Sequence, residues 1–353
     1  MPLESVAERH EFALETPFEI SRGAATSAKG ILTVAVTDEA GRTGVGGAAP
    51  DDYYGESPDS CEAALPDLLG VVREVDDPGA SQRLESRFRE VAPNEGAARA
   101  AASIATHDLA ARQTGKPLYR RWGLDPAATP VTCLSIGIAD PETMADRARA
   151  AVADGFEALK IKLGTDADRG RLESVRAAAP EARIRVDANG AWEPAEAIEA
   201  TRWLAEADVE FVEQPVPADD VAGLARVRED GAVRVAADEA CVTASDVPDV
   251  AHACDIVVVK LMKVGGLRAA IRQIVTAHAH GRDVMLGCMV ESNASIAAAC
   301  HLAPLVEYAD LDGALLLAED AYDGVPMPGG GINLEAVADR PGTGVRARER
   351  DAR

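Results

Sequence analysis

The chain has 353 residues, 36 Lys plus Arg against 59 Asp plus Glu, and a formal charge of −23 at pH 7, with 47% hydrophobic and 27% charged residues. That balance is typical of a globular chain and excludes collagen-like, low-complexity and disordered readings, while the acidity repels a polyphosphate partner, so no nucleic-acid binding is expected. At about 150 residues per domain, the length predicts two domains or one large barrel with an added module.

In chain order, residues 31–37 (ILTVAVT) and 42–48 predict a hairpin around the turn Asp38-Glu39-Ala40-Gly41. Helices follow over about 57–74, 81–90 and 95–114, the last stopped by Gly115 and Pro117. The Pro- and Ala-rich stretch from Gly123 to Pro130 reads as a linker, which sets a first α+β domain at 1–125. Beyond it, apolar runs at 131–138, 157–163, 183–188, 209–213, 233–238, 255–260, 283–288 and about 307–311 alternate with Ala-rich helical spacers. Eight such runs predict a parallel barrel over 126–318, because each parallel crossover needs a helix. The Gly- and Pro-rich remainder, 319–353, is expected to pack back on the first domain.

Charge sits at the ends of these runs. Lys160 and Lys162 end the second, Asp187 and Asn189 the third, Glu213 the fourth, Asp238 and Glu239 the fifth, and Lys260 the sixth. Lys160, Asp187, Glu213, Asp238 and Lys260 are separated by 27, 26, 25 and 22 residues, one strand-helix unit each time. In a βα barrel those ends open into one mouth, where such folds place their chemistry. An acid at a strand end is often a helix cap or a structural ion-pair partner, but five periodic placements argue against that for the set. Lysine is scarce, limited to Lys29, Lys116, Lys160, Lys162, Lys260 and Lys263, so three on barrel strand ends are informative. Asp187, Glu213 and Asp238 on adjacent strands would repel one another without a cation between them, and hard oxygen ligands suit Mg²⁺, with Mn²⁺ a substitute. No His stands at these ends, which disfavours zinc. Lys263 and the pair Gly265-Gly266 have ordinary loop composition and carry less weight.

The opening MPLESVAERHEF lacks the basic start and apolar run of a signal peptide, and no stretch approaches the ~18 apolar residues of a membrane span. Six cysteines, at 61, 133, 241, 254, 288 and 300, form no CxxC pair. A disulfide framework is therefore not expected, and a reducing cytoplasm is. The acidic, lysine-poor composition predicts adaptation to high salt, where a Debye length of about 3 Å at 1 M tolerates dense negative charge.

The segments KIK at 160–162, DAN at 187–189, EQP at 213–215, DE at 238–239 and KLMKVGG at 260–266 together resemble the muconate-lactonizing-enzyme subgroup of the enolase superfamily, across nearly the whole chain. The resemblance implies an α/β fold: a modified TIM barrel, (β/α)7β, with an α+β N-terminal capping domain completed by the C-terminal segment. It also implies Mg²⁺ held by Asp187, Glu213 and Asp238, with Asn189 and Glu239 in support, and an ene-diolate formed by a lysine base. Lys162 would then act on one face of the α-carbon and Lys260 on the other, while Lys160 supports the growing negative charge and, with the metal, lowers the lysines' pKa.

Within the subgroup, DLDG at 310–313 resembles the DxD element of dipeptide epimerases, placing Asp310 and Asp312 on the substrate's free ammonium. TCLSIG at 132–137 and GCMVES at 287–292 resemble segments that put Ser135 and Met289 near the substrate. Arg22 resembles a loop position that meets a substrate side-chain carboxylate, whereas Asp51 and Asp52 would attract a cationic one, so side-chain preference stays open. Gly47 departs from the pattern, since many relatives carry Glu there. The GxGG around it has no following helix and is no dinucleotide fingerprint. The implied activity is 1,1-proton transfer at the C-terminal residue of a dipeptide by a homo-oligomeric isomerase. A muconate cycloisomerase, an o-succinylbenzoate synthase or N-acylamino acid racemase, and a non-catalytic carboxylate-binding barrel are the alternatives.

Overall fold

The computed structural model describes residues 3–349. Residues 1–2 and 350–353, where the expected outer limits of the first domain and of the C-terminal segment fall, lie outside the described residues. Strands β1 (Glu4–Phe18), β2 (Thr26–Thr37) and β3 (Thr43–Ala48) form an antiparallel sheet in that order. The β2–β3 hairpin stands where the sequence predicts it. β1 was not anticipated: it is an edge strand with most of its side chains exposed and only Leu14 fully buried, so it offers no clear apolar alternation to read, and its charges discourage pairing with another chain.

Helices α1 (Pro58–Val75) and α3 (Gly96–Gln113) pack on this sheet, and α2 (Ser81–Val91) packs against both of them. α1 starts at a Ser57/Ser60 capping box with Pro58 in its first turn, an arrangement that satisfies backbone N–H groups otherwise left open. α3 is Ala-rich and buried along nearly its whole length. Its neighbour β3 makes room for it. A Cβ at Gly44 would stand 2.2 Å from the Ala105 carbonyl oxygen, and one at Gly46 2.1 Å from that of Ala101. On the other face, a Cβ at Gly47 would come within 3.2 Å of Ala294 Cβ and Ser295 N, in the barrel helix Asn293–Cys300. The glycine run is thus a packing device between two helices, and the barrel helix occupies the space that a larger residue at 47 would need.

The barrel strands are β4 (Leu134–Ile136), β5 (Ala158–Lys162), β6 (Arg183–Asp187), β7 (Val209–Glu213), β8 (Arg234–Ala237), β9 (Ile256–Lys260), β10 (Asp283–Gly287) and β11 (Tyr308–Ala309). They are parallel and hydrogen-bonded in chain order. A parallel bridge between Thr132 and Ala309, with Cys133 N donating to Ala309 O at 3.2 Å, brings the last strand beside the first and closes the barrel. The first and last strands are shorter than the sequence suggests. Inside, Phe211, Ala236, Ile256, Val258 and Met285 form a small apolar cluster, flanked by a buried Arg185 whose guanidinium lies over Phe211 and Tyr308. Register then sets the mouth: Lys162 pairs with Asp187 and Asp187 with Glu213 across neighbouring strands.

The chain after the barrel returns to α3. Leu118 N donates to Gly342 O at 2.8 Å, and Thr343 N to the buried Asp108 Oδ1 at 2.7 Å. Among the described residues no helix is long and apolar enough to cross a membrane, and all six cysteines are free.

Candidate active site

A cavity of about 520 Å³ lies between the first domain's loops and the barrel mouth. Its wall includes Arg22, Ser135, Lys160, Lys162, Asn189, Lys260, Met289, Asp310 and Asp312, the sequence candidates on both sides of the mouth. Asp187, Glu213, Asp238 and Glu239 lie beneath it, all buried. Strand alternation sets this up: Lys160 and Lys162 share one face of β5, and side chains two apart on a strand project together.

The carboxylates and ammoniums interlock. Lys162 Nζ donates to Asp187 Oδ2 at 2.5 Å and to Asn189 Oδ1 at 3.3 Å. Lys160 Nζ bonds Asp310 Oδ2 and reaches Glu213 Oε2 at 3.3 Å. Lys260 Nζ donates to Asp238 Oδ2 at 2.7 Å. Among the described residues no three His, Cys, Asp or Glu side chains are arranged to hold a metal ion. The three expected ligands do stand on successive strand ends, but lysines have taken their oxygens. One oxygen is left over: Glu213 Oε1 is buried and has no partner. Burial, then the charges of Asp187 and Asp238, push the Glu213 carboxyl up to about 8 against the pull of Lys160. Excess negative charge around an orphaned oxygen is what a hard divalent cation would satisfy, so the donor set fits one.

The carboxylates favour the charged forms of Lys160 and Lys260. Burial opposes charge on Lys260 and on Lys160, but Asp238 and Glu213 raise the first, and Asp310, Glu213 and Asp187 raise the second. The carboxylates that repel each other through Asp187 and Glu213 serve here as counter-ions. Against its burial, Asp187 is held down to about 2 by Lys162, Lys160 and Lys260.

At the eighth strand, Asp312 Oδ2 accepts from Ser135 N at 2.6 Å, and Asp310 Oδ1 accepts from Cys133 Sγ at 3.1 Å. Burial and the neighbouring Asp310 push Asp312 up to about 6. Gly313 lets this loop touch the next one, since a Cβ there would stand 2.1 Å from Met289 O. Met289 N in turn donates to the buried Glu291 Oε1 at 2.9 Å.

Sequence reasoning underrated two residues. Lys263 Nζ is fully enclosed by Asp238 Oδ1 (2.5 Å), Asp238 O (2.7 Å), Val258 O (3.0 Å) and Cys241 O (3.2 Å). Gln214, with φ of 38°, accepts from Asp238 N and Ala240 N through Oε1, pinning the turn after β8. The KLMKVGG and EQP segments contained both, but neither falls on the one-per-strand period. Arg22 is not free toward the cavity: its Nη1 donates to Glu239 Oε1 at 2.5 Å.

Comparison with known proteins gives the same architecture. The family model "Enolase C-terminal domain-like" matches residues 143–352. The chain is 36% identical to an L-Ala-D/L-Glu epimerase of Bacteroides thetaiotaomicron, over 86% of this chain and 78% of that one. It is also 36% identical to a hydrophobic dipeptide epimerase of Roseobacter litoralis, over 93% and 94%. A dipeptide epimerase from Methylococcus capsulatus, solved with Mg and the dipeptide L-Arg-D-Lys, superposes with a TM-score of 0.91 at 34% identity, covering 98% of this chain and 99% of that one. A parallel barrel whose strand ends carry these lysines and acids, with a family match over more than half its length, makes this chain a member of the enolase C-terminal domain-like family.

Proposed function

We propose that the chain is a Mg²⁺-dependent epimerase of dipeptides, inverting the α-carbon of the C-terminal residue. One observation carries the reading: a single cavity is lined by lysines from β5 and β9 and by two buried carboxylates from the eighth strand. The carboxylate pair suits an ammonium. Substrates of a cycloisomerase or an acylamino acid racemase have no free α-ammonium to set against Asp310 and Asp312. The relatives' action on dipeptides points the same way.

Asp187, Glu213 and Asp238 would hold the ion, and Mn²⁺ would substitute. Bound there, a divalent cation supplies Lewis-acid stabilisation of the negative charge that grows on the substrate carboxylate. With Asp187 given over to the ion, Lys162 would lose its 2.5 Å partner and be free to serve as the base, while Lys260 would keep its proton as the acid on the other face. In one direction Lys162, as the neutral amine, would take the α-proton from one face while Lys260, as the ammonium, gives its own proton to the other; in the reverse direction the two exchange roles. Lys160, from the same face of β5 as Lys162, stays positive and faces the developing charge. Asn189 orients Lys162, Ser135 orients Asp312, and Met289 covers the ligand. The same reading divides the chain into cap (1–125), barrel (126–318) and returning segment (319–353), in a salt-adapted cytoplasmic homo-oligomer.

The test is incubation of L,L-dipeptides with the Mg²⁺-loaded enzyme in D₂O. Deuterium should enter at the C-terminal α-carbon together with the L,D epimer. Exchange with muconate or an acylated amino acid, and with no dipeptide, would refute the assignment.

A further inference from the structure

Gly287 ends β10, is buried, and pairs directly with Lys260 in the parallel register between β10 and β9. Its place in the barrel sets it apart. Going up the strands toward the mouth, Arg185 is followed two residues later by Asp187, Phe211 by Glu213, Ala236 by Asp238 and Val258 by Lys260, each pair sharing the inward face. After the inward Met285 comes Gly287, a position without a side chain among charged ones. The backbone does not demand glycine there, since residue 287 lies in an extended strand and has no positive φ. A glycine inside a strand weakens it and often marks a close approach. What approaches here is the stem of the lysine. A Cβ at 287 would stand 3.1 Å from Lys260 Cε and 3.3 Å from Lys260 Cγ, with Val258 Cγ1 at 3.2 Å from the layer below.

The two opposed lysines differ in what else steers them. Lys162 Nζ donates to Asn189 Oδ1 at 3.3 Å as well as to Asp187. Among the described residues, Lys260 Nζ donates only to Asp238 Oδ2, at 2.7 Å. An ion held by Asp238 would take that partner away, and packing of the stem would then direct the amine.

We propose that Gly287 is a positioning residue for Lys260: the space it leaves seats the lysine stem against β10 and sets the line along which Nζ addresses the α-carbon. This deepens the dipeptide-epimerase reading and rests on it. A side chain at 287 pushes the stem off that line, and a misplacement of about 1 Å is enough to cost on the order of 10²-fold in rate. Lys162 is out of its reach, because β5 and β9 stand four strands apart in a ring of eight and face each other across the barrel. The loss therefore falls on one face of the substrate, the face that Lys260 serves.

The experiment measures α-deuterium exchange at the C-terminal residue of L-Ala-L-Ala and of L-Ala-D-Ala in D₂O. The Mg²⁺-loaded wild type, Gly287→Ala, Gly287→Val and Lys260→Ala are used, and crystal structures of the wild type and Gly287→Ala are compared. Lys260→Ala identifies the epimer whose exchange depends on Lys260. Gly287→Ala should slow exchange of that epimer by about tenfold or more relative to the other, and Gly287→Val should move the ratio further in the same direction. Loss of folded protein or of metal slows both epimers alike, so the ratio within each protein separates positioning from a merely structural effect. A ratio unmoved by both substitutions, or moved toward the other epimer, overturns the proposal. In the crystals, Lys260 Cε should leave its place beside residue 287 when alanine stands there. A stem that keeps its place in Gly287→Ala overturns the proposal even if neither dipeptide is turned over, an outcome that by itself refutes only the epimerase reading.

Discussion

At the floor of the barrel, charge is held by charge: Asp187, Glu213 and Asp238 share Lys160, Lys162, Lys260 and Lys263 over contacts of 2.5 to 3.6 Å. Under the cap, shape holds backbone: Gly44 and Gly46 let α3 approach β3 to distances no side chain would allow. The floor can exchange partners without moving a strand, since each ion pair can be replaced by another of the same sign. The cap has no such freedom. The difference teaches which substitutions abolish chemistry with the fold intact and which unfold the protein.

The largest expected effect is at the floor. Lys162→Ala or Lys260→Ala should lower dipeptide epimerisation by about 10²–10⁴-fold or more, the usual worth of a positioned acid or base, with far-UV circular dichroism unchanged. Lys263→Met should act differently. Asp238 would lose the partner that fixes one of its oxygens, so Mn²⁺ affinity, read by titration calorimetry, should fall by roughly 10–100-fold, as for other groups that orient ligands. Unchanged affinity would make Lys263 a purely structural charge.

Substitutions under the cap should spare the chemistry per folded molecule. Gly46→Val would drive side-chain atoms into the Ala101 carbonyl and should cost about 3 kcal/mol, the upper range for overpacking, read by urea unfolding. His301 makes a smaller, pH-dependent contribution where the C-terminal segment, α3 and the barrel meet. Its Nδ1 accepts from Tyr119 N at 3.2 Å, and burial lowers its pKa to about 4. The unfolded chain protonates this imidazole below about pH 6.5 and the folded one only below about 4. Stability is therefore full above 6.5 and falls as pH drops through that window, by about 2 kcal/mol at pH 5. His301→Asn should flatten the slope of melting temperature against pH.

The floor was legible in the sequence because one strand-helix unit separates each charged end from the next, and because a lysine-poor chain makes each lysine conspicuous. The glycines of β3 were visible as a pattern, but their reason was not, since it lies in α3 and in a helix some 250 residues downstream. β1 escaped because an exposed edge strand has no buried face to impose alternation. Lys263 and Gln214 sit just past strand ends and act through turns, off the barrel period. The Arg22–Glu239 contact joins residues 217 apart in sequence. Pattern could flag Arg22 as a loop cation near the mouth, but only the folded chain reveals its partner.

The account depends most on two amines addressing one carbon from opposite faces. In D₂O, with Mg²⁺ present, Lys162→Ala and Lys260→Ala should each exchange the α-proton of only one epimer of a dipeptide, and the two variants should retain opposite ones. A variant that exchanges both epimers, or two variants that retain the same one, would contradict it.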